Sequence, residues 1–158
     1  MHSRIYQIGT KPIHKDDYIE EDRYYDHWFI GSVADYVNDD TDRAEDIEWL
    51  KDCCEARGIS FGKDDGGEYL IVEDKSKYFA QKFERFQRTL SELSPITLDN
   101  FISAACGMQM YNLKDAYDEK FGFYVDGDEF SLDTFDTFIR YAEVGTKYYI
   151  GATIDYHC

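Results

Sequence analysis

The sequence predicts an α+β fold with a mostly antiparallel sheet. Three observations lead there. Residues 59–73 and 121–131 each read as a β-hairpin, with strand-forming runs around a turn cluster. Residues 147–156 alternate between apolar and polar, the mark of a strand with one buried face. Between these strands, several stretches repeat apolar residues at helical spacing, and strands paired through hairpins among helices indicate α+β. At 158 residues, with no internal repeat and no Pro-rich linker, a single domain covering 1–158 is expected.

Ser3–Ile8 is the first strand, closed by Gly9, and Lys11–Asp17 reads as loop. From Ile19 to Val37 the pattern turns helical, with Phe29, Val33, Tyr36 and Val37 at helical spacing. Gly31 weakens the middle, so two short helices are expected. Thr41–Arg57 is a firmer helix. Thr41 or Asp42 can cap it, early carboxylates suit its N-terminus, Arg57 suits its C-terminus, and Gly58 stops it. Ile47, Leu50 and Cys54 form its inward stripe.

Strands Ile59–Gly62 and Glu68–Glu73 follow, joined by the turn chemistry of "KDDGG". "YLIV" at 69–72 is apolar on both faces and suggests a central strand. In the helix Ser76–Leu93, Phe79, Phe83, Phe86, Leu90 and Leu93 make an aromatic core stripe. Thr97 caps a helix with Leu98, Phe101, Ile102 and Ala105 inward, and Asn112 caps a short one. The second hairpin turns at Asp126–Gly127, a favoured type I′ pair. Ser131 starts helix 132–142, with Leu132, Phe135, Ile139 and Ala142 inward. In the last strand, Tyr148, Ile150, Ala152, Ile154 and Tyr156 are expected on one face.

Composition narrows the function. A chain that is 43% hydrophobic and 17% aromatic is too apolar for intrinsic disorder. No run approaches the roughly 20 apolar residues of a membrane span, and the N-terminal stretch lacks a signal peptide's apolar core. A cytoplasmic location is therefore expected, with Cys53, Cys54, Cys106 and Cys158 as free thiols. Cys54 and Cys106 are expected to be buried.

The net charge is −16 and unevenly spread. Residues 16–48 hold 13 carboxylates against Arg23 and Arg43, a net of −11 that leaves −5 for the rest. Such a field repels nucleic acid and anionic membranes and attracts basic partners. Direct DNA or RNA binding is disfavoured, despite a local basic face at Lys77, Lys82, Arg85 and Arg88.

Sites for other chemistry are not evident. "DGDEFSLDTFDTF" fails as a calcium loop, because Ser131 stands where position 6 needs glycine and Thr137 where position 12 needs glutamate. No ligand pairs sit at zinc-finger spacing. No nucleophile elbow, phosphate loop or dinucleotide fingerprint is present. No cofactor or metal is expected, and His27 reads as a half-buried structural residue.

The candidate functional residues are therefore acidic. Glu45, Glu48, Asp52 and Glu55 recur at spacings of 3, 4 and 3, opposite the apolar stripe of their helix. Asp39 and Asp40 extend the row beyond its start. In composition the chain is similar to acidic proteins of phages and mobile elements that mimic DNA. That similarity implies a bacterial, acidic protein-interaction module docking on a basic protein that itself binds nucleic acid. The alternatives are a small enzyme or ligand-binding domain, or a homo-oligomeric structural subunit whose acidic and basic faces pair.

Overall fold

The computed structural model describes residues 1–158. Its centre is a seven-stranded sheet that is antiparallel except at one pair. Strand β1 (His2–Gly9) and strand β7 (Lys147–His157) run antiparallel at its middle. Strands β3 (Ile59–Asp64) and β4 (Gly67–Val72) form the first hairpin through the two-residue turn Asp65–Gly66, and β4 pairs with the start of β7. The short β2 (Tyr36–Asn38) pairs with the end of β7. On the other side, β5 (Tyr124–Asp126) lies parallel to β1 and pairs with β6 (Asp133–Thr134). The α+β class and mostly antiparallel sheet stand as expected.

The second hairpin differs from its expected form. Its strands are joined by residues 127–132, not by a two-residue turn. Gly127 is required by proximity: a Cβ there would collide with the Ile8 carbonyl oxygen of the neighbouring strand. Helix α5 (Phe135–Tyr141) consequently begins three residues later than the expected 132, because Asp133 and Thr134 pair as β6, and its cap is not Ser131 but the Thr134 side chain, which accepts from Thr137 N–H at 3.1 Å.

Strand β7 does not keep one face. Tyr6 pairs with Thr153, but Ile8 pairs with Ile150, so β7 uses an extra residue over this interval. A bulge of this kind reverses the alternation beyond it. Tyr148 and Ile150 join Tyr6, Ile8 and Val125 in one core cluster. Ile154 and Tyr156 join Ile5 and Tyr124 in a second. The backbone groups freed at the bulge are taken up by side chains. Gln7 Oε1 accepts from Ala152 N–H at 3.0 Å, and Arg43 donates to the Gly151 and Ile150 carbonyls at 2.6 and 2.7 Å. Gly151 leaves room for Gln7, whose Oε1 would collide with a Cβ there.

Helices cover the first cluster. Helix α1 (Arg43–Cys54) buries Ile47, Leu50 and Cys54 there, as its pattern predicts. A 3-10 turn over Glu55–Arg57 and a left-handed Gly58 (φ 84°) end it. Tyr78 of helix α2 (Lys75–Leu93) and Phe135, Phe138 and Ile139 of α5 complete the cluster. The second cluster is covered by irregular chain carrying Tyr24, Phe29, Val33 and Ala34. That chain is not two helices. It contains one 3-10 turn at Glu21–Tyr24, then turns, then β2. Gly31 adopts φ 80°, which breaks a helix, and Val37 gains a ladder partner on β7.

The largest departure concerns α2 and the two helices after it. The Phe79–Leu93 stripe is not a core stripe. The helix is rolled so that Tyr78 and Thr89 take the buried side, Phe79, Phe86 and Leu93 are half-buried, and Phe83 and Leu90 are exposed. Helix α3 (Leu98–Ile102) has its capping box at Thr97, but Leu98, Phe101, Ile102 and Ala105 face outward, not inward. Beyond Tyr78, α2 packs on α4 (Gly107–Tyr117), with Phe86 against Tyr117 and Arg85 paired to Asp115. A pair of helices covers only one flank of each, and nothing covers the other. Asn112 lies inside α4 and caps nothing, and Cys106 is half-buried. No helix is long and apolar enough to cross a membrane.

Candidate functional site

The acidic row is built by helix α1 and the chain that leads into it. Asp42 caps the helix, its carboxylate accepting from the Ala44 and Glu45 N–H groups at 3.0 and 3.2 Å. Thr41, the other candidate cap, turns to Thr153, hydroxyl to hydroxyl at 2.8 Å. With Asp46, Ile47, Leu50 and Cys54 buried on one side, helical geometry sends Glu45, Glu48, Asp52 and Glu55 to the other, and all four are exposed. At a rise of 1.5 Å per residue the four extend over roughly 15 Å. Glu55 falls in the 3-10 turn and continues the line.

Asp39 and Asp40 are exposed as well. Asp39 bonds reciprocally with Glu21: Glu21 N–H donates to the Asp39 carboxylate at 3.1 Å, and Asp39 N–H donates to the Glu21 carboxylate at 3.3 Å. This exchange places the acidic turn Glu20–Asp22 beside the start of the row. No sequence pattern links Glu21 to Asp39, 18 residues away; the pairing of β2 with β7 fixes the geometry.

The cations explain why the row keeps its charge. Arg43, inside the helix, turns away to the β7 bulge and to Glu68 at 2.9 Å. Arg23, inside the other acidic stretch, forks onto buried Asp126 at 2.8 and 3.0 Å. Arg4 pairs with buried Asp46 and with Asp155. Against the six residues of the row stands only the pair Lys51–Glu48 at 3.3 Å, on the surface. Glu68 takes both Lys63 (2.7 Å) and Arg43, whose hydrogen bonds hold its carboxyl down at about 2. The pairs Arg4–Asp46, Arg23–Asp126 and Lys82–Asp136 each hold a buried carboxylate, whereas the row repels on the surface.

That division has a measurable outcome. Salt screens exposed charges over about 8 Å at 0.15 M while leaving buried pairs largely intact. The melting temperature should rise with added NaCl. A relief of about 1 kcal/mol corresponds to roughly 2–4 °C for a chain of this size. Melting scans across a salt series check this, and a falling melting temperature would show that exposed ion pairs dominate.

A cleft of about 280 Å³ lies beside the other end of α1, lined among others by Trp49, Cys53, Cys54, Arg57, Tyr78 and Asp136. Its polar groups serve the fold. Asp136 accepts from the Tyr78 hydroxyl at 3.0 Å, Lys82 at 2.8 Å and Glu119 N–H at 3.2 Å. The Arg57 guanidinium lies 4.4 Å from the centre of the Tyr78 ring and donates to the Tyr78 carbonyl at 3.3 Å. Burial pushes both thiols up, Cys54 to about 12, which is the opposite of an activated thiolate. No three His, Cys, Asp or Glu side chains converge in a metal-binding arrangement.

No protein-family model, curated protein or solved structure matches this chain.

Proposed function

We propose that this protein is an acidic interaction module that docks the α1 row on a basic groove of a partner protein. In its sharpest form it is a DNA-mimic inhibitor, encoded by a phage or mobile element, acting in the bacterial cytoplasm on a protein that binds nucleic acid. The observation that carries this reading is the exposed run Asp39, Asp40, Glu45, Glu48, Asp52 and Glu55, with the neighbouring arginines turned inward. Phosphates rise about 3.4 Å per nucleotide along one DNA strand. Successive row carboxylates on the helix rise about 5 Å. The charge densities are comparable, and such a surface favours fast, salt-sensitive encounter with a Lys/Arg groove.

The test is a quadruple variant, Glu45→Gln, Glu48→Gln, Asp52→Asn and Glu55→Gln. Its fold should be intact, because all four side chains are exposed. Proteins captured from bacterial lysate by the parent at low salt should be released by competing duplex DNA and by high salt. With each exposed charge contributing about 0.2–1 kcal/mol, the variant should bind a purified captured partner roughly 4- to 10³-fold more weakly. Its affinity should also depend less steeply on salt. A variant that binds as tightly as the parent would leave α1 a solvated helix with no docking role.

A further inference from the structure

We propose that the apolar, charge-poor helical face made by α2, α3 and α4 binds the same face of a second copy of this chain. The observations behind it are independent of the acidic row. From Leu93 to Leu113 the only charged residue is Asp99, in a chain that is 32% charged. Charge depletion together with Met and aromatic enrichment is the composition of an interface centre. Yet in the single chain these residues are not buried. Leu98, Phe101 and Ile102 are 72–73% exposed, and Met108, Met110 and Tyr111 48–68%. Phe83 and Leu90 of the rolled α2 add 57% and 50%.

The area is sufficient. At about 200 Å² per large side chain these exposed fractions amount to roughly 1,000 Å² per copy. A stable interface needs about 800 Å² from each partner. A single soluble chain rarely exposes more than a few hundred Å² of contiguous apolar surface without a binding role.

Charge selects the occupant. Residues 75–117 carry six cations and four carboxylates, a net of +2, so the remainder of the chain carries −18. Two copies repel each other in every orientation that brings those remainders together. Meeting through the helical unit, which carries a net +2, does not oppose like charge in this way. A two-fold contact also requires a self-complementary surface. Here the exposed flank of α2 beside Phe83 and Leu90 offers Ala80, Gln87, Ser91 and Ser94, all neutral, and the two charges on the neighbouring helices, Asp99 and Lys114, are of opposite sign. A basic partner would be drawn to the acidic row, and an acidic one repelled by the body.

Light scattering and sedimentation equilibrium test this directly. The parent should have twice the 18.6 kDa mass of one chain. Its self-association should hold or tighten in high salt, because the contact is apolar. Phe101→Glu with Ile102→Glu should weaken the dimer by at least about 100-fold, since it opposes buried like charges. Its circular dichroism should not change, because both side chains are exposed. The quadruple acidic variant should remain dimeric, so loss of partner binding and loss of dimerisation can be told apart. A monomer at all concentrations would overturn the proposal, as would a dimer unaffected by the double variant. A dimer that dissolves in salt would mean that acidic and basic faces pair instead, and would overturn it too.

Discussion

Asp46→Ala should lower the unfolding free energy by about 3 kcal/mol, the low end of the cost of breaking a buried ion pair, because Arg4 keeps Asp155. Asp46 sits on the inner face of α1, with only 5% of its side chain exposed. It accepts from Arg4 Nε at 2.5 Å and from the Thr153 hydroxyl at 2.7 Å, and its backbone carbonyl accepts from the Tyr6 hydroxyl at 2.8 Å. Arg4 also pairs with Asp155 and lies 5.3 Å from the centre of the Trp49 ring. One side chain thus fastens the acidic helix to both central strands. Against a total stability of about 5–15 kcal/mol, the loss is large. Urea denaturation should show the midpoint falling sharply with little change in slope. The pair Arg4→Met with Asp46→Leu should recover only part of the loss, because the apolar pair carries no desolvation cost but Asp155 is left with His2 alone. A single variant within about 1 kcal/mol of the parent would show that Asp155 alone satisfies Arg4.

Asp136→Ala should be comparably damaging, by about 3–5 kcal/mol. Its carboxylate is 3% exposed and lies where three segments meet: α5 carries it, α2 supplies Tyr78 and Lys82, and the chain after α4 supplies Glu119 N–H. Removing it strands Lys82, itself only 13% exposed, with Glu119 as its remaining partner. Tyr78, whose phenol is held up first by burial and then by the Asp136 charge, would lose its acceptor. Because this junction anchors the helical pair to the sheet, limited proteolysis should cut residues 75–117 faster in the variant than in the parent. Lys82→Met with Asp136→Leu should restore protection only in part, because the Tyr78 hydroxyl and Glu119 N–H still lack their acceptor. If the single variant melts like the parent and resists protease equally, the junction is not what holds the helices.

Asp46 and Asp136 differ from the exposed carboxylates only in where the fold puts them. Asp46 and Glu45 are neighbours near the start of one helix, and as local sequence both suit its positive end. One turns into Arg4, the other into water. The quadruple surface variant should therefore keep its fold while either single buried variant loses stability.

Signals that act within a few residues were legible in the sequence. The Asp42 and Thr97 caps, the left-handed Gly58, the turn at Asp65–Gly66 and the inward stripe Ile47, Leu50 and Cys54 all depend on local backbone chemistry. So did the outward row Glu45, Glu48, Asp52 and Glu55, because a helix with one buried stripe has an opposite face. The tertiary structure alone decided four things. The β7 bulge moved Ile154 and Tyr156 to the other face, through Gln7 and Arg43 far away in sequence. The apolar stretch before β2 became turns and a strand, because β7 offered a ladder there. Glu21 came to stand beside Asp39. The stripes of α2 and α3 were left uncovered, because an apolar period shows that a helix has a face to bury but not what it is buried against. Periodicity is a property of one segment, whereas burial is a property of two.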